Sequence, residues 1–261
     1  MKYRVLGDME IRISTGQHVL VSRPRTRQVL ATLLINSNNV VPPDRLVEYL
    51  WDEQPPESAR SQVKTYVWSL RGLLSPGGAA SGPIQQVSGG YRIAVAPNEL
   101  DLLDFAELAR RGRLALRSGD LRAAEQALRR SLDLWRGEPF AGLPLSSALQ
   151  AAADRLDDDR LSVFEDWAET RLRLGGHADV IGELRERVSA SPLRERLRGQ
   201  LILALYRSGR QGEALAEYRE LRRVFAEELG IEPSPQVQRL HEQILAADLR
   251  PLRAGAPGSD R

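Results

Sequence analysis

Polar and apolar residues alternate along the first part of the chain. Residues 3–13 read Tyr-Arg-Val-Leu-Gly-Asp-Met-Glu-Ile-Arg-Ile, a period-two pattern that is typical of short strands with one buried face. Val19-Leu20-Val21 is a further short strand candidate. The pattern therefore predicts a small region of β-structure before any helix.

Helical periodicity replaces this alternation after Pro24, because a proline suits the first turn of a helix. The first predicted helix ends at Asn36-Ser37-Asn38-Asn39, and a second begins at Pro43 and is broken by Pro55-Pro56. A third helical pattern runs from about Glu57 to Leu74. Three helices are thus predicted in close succession.

Glycine, serine and proline dominate the segment after the third helix, so residues 75–83 are predicted to form a loop. Residues 84–93 then alternate again around Gly89-Gly90, which supplies the positive φ that a tight hairpin turn needs. The order of strands, three helices and a hairpin is that of a winged helix-turn-helix domain.

The second half of the chain contains only helix-length patterns, from Asp101 to about Asp248. Three glycines each precede a helix, and each is followed after five and after nine residues by apolar positions: Gly119 by Ala124 and Leu128, Gly175 by Val180 and Leu184, Gly209 by Ala214 and Tyr218. The second and third glycines are 34 residues apart, which is the tetratricopeptide period. The alternative is that any antiparallel helical hairpin places a glycine at its turn and a leucine inside.

These patterns divide the chain into three parts. Residues 1–98 are predicted to form an α+β winged helix domain, residues 99–248 an all-α tetratricopeptide-like domain, and residues 249–261 a disordered tail. A length of 261 residues with 42% hydrophobic content is enough for two cores.

Composition removes several classes of protein. The chain has no Cys, its 3 His are far apart, and no apolar run approaches the roughly 18 residues of a membrane span. The N-terminus lacks the regions of a signal peptide. We therefore expect a soluble cytoplasmic protein that needs no metal and no cofactor.

The sequence also lacks the motifs that would indicate an enzyme. The chain has no GxxxxGK[ST] phosphate loop, and its Ser, His and Asp residues suggest no catalytic set. Asp157-Asp158-Asp159 could suggest a cation site, but consecutive residues on a helix point in different directions, which favours a solvated face. No enzymatic activity is predicted.

Charge becomes informative once the chain is divided. The whole chain carries a net charge of +2, whereas residues 1–98 hold 11 basic and 7 acidic side chains and the remainder is slightly acidic. A basic N-terminal domain favours a nucleic-acid partner there, and an acidic helical domain favours a protein partner.

The third helix concentrates this positive charge on one face. On a helical wheel the predicted core face comprises Ala59, Val63, Tyr66, Val67, Leu70, Leu73 and Leu74. The opposite face comprises Arg60, Ser61, Lys64, Thr65, Trp68 and Arg71, with no carboxylate among them. Cations and hydroxyls without carboxylates are what a helix in a DNA major groove requires.

Other side chains leave two interpretations open. Arg92 follows Gly89-Gly90 and could reach a neighbouring minor groove, while Arg23, Arg25 and Arg27 could hold phosphates or simply be solvated. A basic helix face is often only a solvated face, and Trp68 could pack against the hairpin or a partner domain instead of contacting DNA.

The chain resembles the Streptomyces antibiotic regulatory proteins, and its first domain resembles the OmpR-type winged helix. The segments that carry the resemblance are residues 40–51, Gln62-Val-Lys-Thr-Tyr-Val-Trp-Ser-Leu-Arg71, residues 90–93, Leu132-Asp-Leu-Trp-Arg-Gly-Glu-Pro139 and Glu228-Leu-Gly-Ile-Glu-Pro-Ser-Pro235. The last two resemble the bacterial transcriptional activation domain. Trp68-Ser69 departs from the family pattern, which usually has Ser-Arg there, and the chain resembles the small members that lack an ATPase module.

The resemblance implies a sequence-specific activator of a secondary-metabolite gene cluster, associated with the nucleoid. Such proteins bind direct repeats near the −35 region, often as two copies side by side, and contact RNA polymerase and its sigma factor. The resemblance also implies DNA contacts for the matching positions Arg60, Lys64, Thr65, Arg71 and Arg92. A helical-repeat scaffold that binds only proteins, or a repressor with the same DNA-binding domain, is the alternative.

Overall fold

A computed structural model of the chain describes residues 1–13, 17–75 and 82–246. The predicted disordered tail, residues 249–261, and positions 76–81 of the predicted loop lie outside these residues. The strands are β1 (Lys2–Arg4), β2 (Glu10–Arg12), β3 (Ile84–Val87) and β4 (Gly90–Ile93). The helices are α1 (Pro24–Ile35), α2 (Pro43–Trp51), α3 (Ala59–Leu74), α4 (Asp101–Ser118), α5 (Leu121–Leu132), α6 (Ser147–Arg173), α7 (Ile181–Ala190), α8 (Glu195–Arg207), α9 (Gln211–Leu229) and α10 (Pro235–Leu245).

The N-terminal β-structure is smaller than the sequence predicts. Strands β1 and β2 pair antiparallel with Tyr3 opposite Ile11, which confirms the alternating pattern there. The strand predicted at residues 19–21 is wrong, because the described chain has only a single bridge between Arg12 and His18 at that place. Leu20 is 82% exposed and Val21 is buried, so the run packs one side on the core without forming a strand.

The predicted hairpin forms and is attached to the loop before α2. Strands β3 and β4 pair antiparallel with Ile84 opposite Ile93. Tyr91 also exchanges two backbone hydrogen bonds with Val41, of 2.8 and 3.0 Å. Gly90 makes this approach possible, since a Cβ atom at that position would lie 2.2 Å from the carbonyl oxygen of Val41. We call this hairpin, residues 84–93, the wing.

Packing groups the described residues into two compact units, and the boundary between them falls between Phe164 and Glu165. In the first unit α1, α2 and α3 pack against one another, and the same apolar core includes Phe140, Leu143 and Leu149. The predicted domain boundary after residue 98 stays a prediction. The apolar core of the first unit extends past that position.

The long first interval of the helical repeat has a structural cause. The backbone of residues 136–140 runs beside the end of β1, where Arg136 donates to the Leu6 carbonyl at 2.9 Å and Phe140 to the Val5 carbonyl at 3.0 Å. The inserted residues thus hold the N-terminal strand.

Helix α5 crosses α4 closely, since a Cβ atom on Gly112 would lie 2.5 Å from Leu128.

The repeat positions are occupied as the sequence predicts. Glycines 119, 175 and 209 all have positive φ, between +77° and +86°, and each follows a helix. The small and large positions after them are all buried: Ala124, Leu128, Val180, Leu184, Ala214 and Tyr218. In the second unit α8 packs against α7 and α9, and α10 packs against α8 and α9.

Candidate nucleic-acid interface

Helix α3 buries one side in the core of the first unit and leaves the other exposed. Its buried residues are Ala59, Val63, Val67, Leu70 and Leu74, all of them on the predicted core face. The prediction that Leu73 belongs to this core is wrong, because its side chain is 38% exposed. Leu73 lies at the edge of the apolar arc, and a helical wheel cannot show where the neighbouring elements end. Tyr66 is half-buried beside Trp51, with the ring centroids 6.4 Å apart.

The opposite side of α3 presents side chains to solvent through three successive turns. Arg60, Ser61, Lys64, Thr65 and Trp68 are exposed. Trp68 is 76% exposed, so it packs little against the wing. An indole in this position offers a large apolar face between cations, and such a residue is well suited to contact with a macromolecular surface.

Arg60 has a carboxylate partner that α3 itself does not supply. Its Nε donates to Asp44 Oδ1 at 2.7 Å and its Nη2 donates to Oδ2 at 2.9 Å. Asp44 lies in the first turn of α2. Both side chains are about 70% exposed, so the pair stabilises the fold by only about 0–1 kcal/mol.

The two hydroxyl groups on this face are oriented by the helix backbone. Ser61 Oγ donates to the Ser58 carbonyl at 2.7 Å, and Thr65 Oγ1 donates to the Ser61 carbonyl at 3.2 Å. Each oxygen keeps lone pairs that can accept a hydrogen bond from a ligand or a water molecule. Donation to a phosphate would require the hydroxyl hydrogen to turn away from its backbone partner.

A groove of about 470 Å³ lies between α3 and the wing. Lys64, Thr65, Trp68 and Arg71 line it on the α3 side, and Gln86 lines it on β3. Four of the predicted site residues thus meet at one opening. Gln86 was not predicted, because a single polar residue in a short strand carries no signal in the sequence.

Arg71 joins the helix to the wing instead of projecting freely. Its Nε donates to the Ile84 carbonyl at 3.0 Å, and its guanidinium lies 6.0 Å from the ring centre of Tyr91. The side chain is half-buried. The contact holds β3 and β4 beside α3, and the role of Arg71 in DNA binding stays a prediction.

Arg92 lies on β4 and is also half-buried. Its Nη2 donates to Gln85 Oε1 at 2.7 Å, across the hairpin. This bond runs along the wing, and Arg92 does not line the groove described above. The predicted minor-groove contact of Arg92 therefore stays a prediction.

Two of the arginines near α1 donate to carbonyl oxygens within the first unit. Arg25 donates to the Leu50 carbonyl and lies 5.4 Å from the ring centre of Trp51. Arg27 donates to the Gly142 carbonyl at 3.3 Å. These contacts hold α1 to α2 and to the inserted segment, which gives both residues a structural role that the sequence does not reveal.

Among residues 1–13, 17–75 and 82–246, no group of three or more His, Asp or Glu side chains could hold a metal ion. In the same residues no helix is both long enough and apolar enough to cross a bilayer.

The chain matches two protein-family models. Residues 17–93 match "Transcriptional regulatory protein, C terminal", and residues 100–245 match "Bacterial transcriptional activator domain". Regulatory protein DnrI of Streptomyces peucetius is 36% identical over 267 residues, which cover 100% of this chain and 95% of DnrI. The chain belongs to the Streptomyces antibiotic regulatory protein family.

This Streptomyces antibiotic regulatory protein is similar to longer regulators as well. Regulatory protein AfsR of Streptomyces coelicolor is 41% identical over 249 residues, which cover 95% of this chain but 24% of AfsR. A solved structure of Mycobacterium tuberculosis EmbR in complex with a low affinity phosphopeptide superposes with a TM-score of 0.88 at 34% identity. That match covers 94% of this chain and 65% of EmbR.

These relatives confirm the predicted fold class, a winged helix followed by an all-α domain. They also identify this family member as a transcriptional regulator. The chain spans about a quarter of the length of AfsR.

Proposed function

We propose that the protein is a sequence-specific DNA-binding activator of transcription that inserts α3 into the major groove. The observation that carries the proposal is the exposed group Lys64, Thr65 and Trp68 at the groove between α3 and the wing. A major groove accepts one α-helix, and its flanking phosphates attract cations.

The exposed face of α3 fits such a contact in three ways. Lys64 supplies an exposed positive charge, Ser61 and Thr65 supply short polar groups, and Trp68 supplies an apolar surface. The wing, held to α3 by Arg71, would lie over the adjacent backbone and place Arg92 near the minor groove. The buried face of α3 stays in the core, so binding requires no rearrangement of the unit.

The finer features of the function rest on the family resemblance. We propose that two copies bind side by side on direct repeats near the −35 region and contact RNA polymerase and its sigma factor through the helical domain. The target genes would belong to a secondary-metabolite cluster, and the protein would work in the cytoplasm at the nucleoid. The chain is similar to DnrI and AfsR, both regulatory proteins of Streptomyces, and this similarity supports the proposal.

Selection from a random duplex library would test the proposal. The purified chain should enrich one sequence, and its affinity for that duplex should fall steeply with salt, because phosphate neutralisation releases counterions. The double variant Arg60→Ala/Lys64→Ala should keep its helicity and lose the enriched sequence. A matched control, Arg117→Ala/Arg122→Ala, removes the same charge from exposed positions in residues 99–248 and should bind as the unmodified chain does.

The outcomes separate the proposal from its alternatives. A folded Arg60→Ala/Lys64→Ala variant that still enriches the sequence would contradict the assignment of α3. If the chain enriches no sequence at any protein concentration and captures a protein partner, the result would favour the helical-repeat scaffold that binds only proteins. Run-off transcription with purified polymerase distinguishes an activator, which raises transcript yield, from a repressor.

A further inference from the structure

The Asp44–Arg60 pair joins two helices of the winged helix region. Asp44 lies in the first turn of α2, after Pro42 and Pro43, and Arg60 is the second residue of α3. The carboxylate accepts two parallel hydrogen bonds, from Nε at 2.7 Å and from Nη2 at 2.9 Å. Two-point contact fixes the plane of the guanidinium as well as its position.

This contact occupies one edge of the guanidinium and leaves another available. A guanidinium has five N–H donors, and Asp44 takes the Nε hydrogen and one Nη2 hydrogen. Arg60 makes no other hydrogen bond within the described part of the chain, and the planar guanidinium directs both Nη1 hydrogens and the second Nη2 hydrogen away from the carboxylate. The edge formed by Nη1 and Nη2 therefore presents two donors.

Two donors on one edge match the major-groove edge of guanine. Guanine offers its N7 and O6 atoms there as a pair of acceptors, and an arginine that contacts both is the commonest specific contact in DNA recognition. The first residues of a recognition helix are the ones that usually reach base edges. Arg60 occupies that position in α3, and its side chain is 72% exposed.

A carboxylate at this place would weaken binding if it acted only as a charge, since phosphates repel it. The Asp44 carboxylate, however, also holds the side chain of Arg60. Without Asp44, this flexible side chain would have to be ordered when the complex forms. Restraint before binding reduces the entropy lost on contact with a base. The carboxylate thus exchanges some general attraction to DNA for a fixed orientation of one donor pair.

We infer that Asp44 is a positioning residue that fixes Arg60 to read one guanine in the major groove. The inference rests on the proposed function, because it requires α3 to enter that groove. It assigns Arg60 to base recognition, and it assigns Asp44 to specificity although Asp44 need not touch DNA.

Base preference at single positions tests the inference. The duplex selected by the unmodified chain is compared with duplexes carrying each other base at every position, in competition assays. Asp44→Ala should lose up to about tenfold of the preference for guanine at one position, since ordering one flexible side chain on binding costs up to about that factor. Binding of Asp44→Ala to a scrambled duplex should not fall, since a negative charge has been removed.

Three further variants make the result specific. Glu48→Ala removes an exposed carboxylate one turn along α2 and should leave all base preferences unchanged. Arg60→Lys should weaken the same guanine preference, because an ammonium lacks the planar pair of donors that Asp44 holds in a fixed orientation. In an Arg60→Ala background, Asp44→Ala should change nothing at that position, since coupled residues are not additive.

Circular dichroism and thermal melting show whether each variant is folded. Folded Asp44→Ala that retains the full guanine preference would overturn the inference and leave the proposed function intact. If Asp44→Ala and Glu48→Ala changed the binding affinity equally on every duplex, the inference would also be overturned, because Asp44 would then be one surface charge among others. An unmodified chain that selects no sequence would overturn the proposed function itself.

Discussion

The carboxylate of Asp101 accepts hydrogen bonds from the backbone N–H of Val5, with both oxygens at 2.9 Å. One oxygen also accepts from the N–H of Leu6 at 3.1 Å, and Arg136 lies 3.7 Å away. Asp101 begins α4 and is buried, so a single side chain satisfies the last N–H groups of the β1 region. Burial raises the pKa of Asp101, and the hydrogen bonds and Arg136 oppose that rise.

Asp101→Ala should destabilise the first unit by about 1–3 kcal/mol, because it leaves buried N–H groups without an acceptor. Urea unfolding followed by tryptophan fluorescence measures the change. Asp104→Ala is the control, since the Asp104 carboxylate accepts an exposed hydrogen bond, from the backbone N–H of Asn98 at 3.2 Å. An equal loss for both variants would show that the buried contacts of Asp101 are not decisive.

Trp68→Ala should weaken binding to the selected duplex with a change in stability within about 0.5 kcal/mol, since the side chain is 76% exposed. Leu20→Ala, at another exposed apolar residue of the first unit, should affect neither property. Quenching of tryptophan fluorescence by DNA should disappear in Trp68→Phe. Unchanged quenching in that variant would place the contact at another tryptophan.

Gly90→Ala should lower the melting temperature and loosen the wing, because the new Cβ would lie 2.2 Å from the Val41 carbonyl oxygen. Gly72→Ala provides a control of opposite sign. A Cβ there meets nothing within 4 Å, and alanine stabilises a helix relative to glycine by about 0.5–1 kcal/mol. A stable Gly90→Ala variant with an intact wing would contradict the close approach of Gly90 and Val41.

Two histidines of the second unit should make its stability depend on pH. Burial lowers the pKa of His177, aided by Arg207, and burial also lowers the pKa of His241, against the effect of Glu242. At pH values between the ordinary histidine pKa of about 6.5 and the lowered pKa values, the folded state thus binds fewer protons than the unfolded state. Stability should be complete above that window and decrease as the pH falls through it.

Urea unfolding at pH 7.5 and pH 5.5 would measure this loss. The ring of His241 stacks on that of Tyr218, with centroids 3.8 Å apart, so His241→Phe keeps an aromatic ring there and removes the titration. The variant should show a smaller difference between the two pH values. An unchanged difference would exclude His241 as a contributor.

The periodic parts of the chain were readable from the sequence. The prolines at residues 24 and 43, the alternation in residues 84–93 and the glycines before α5 and α9 each locate an element to within a few residues. Local periodicity failed at Leu73, where the extent of the neighbouring elements decides burial, and at Val19, where strand formation requires continued pairing with another strand.

Within the candidate site, the sequence determined which residues share the outer face of α3, because helix geometry alone fixes that relation. It could not show that Asp44 from α2 holds Arg60, or that Arg71 is bound to the Ile84 carbonyl. Those contacts join residues on different elements, and only the packing of the unit sets their distances. The basic face was thus encoded locally, whereas tertiary structure decided which of its cations are exposed, restrained or used to hold the wing.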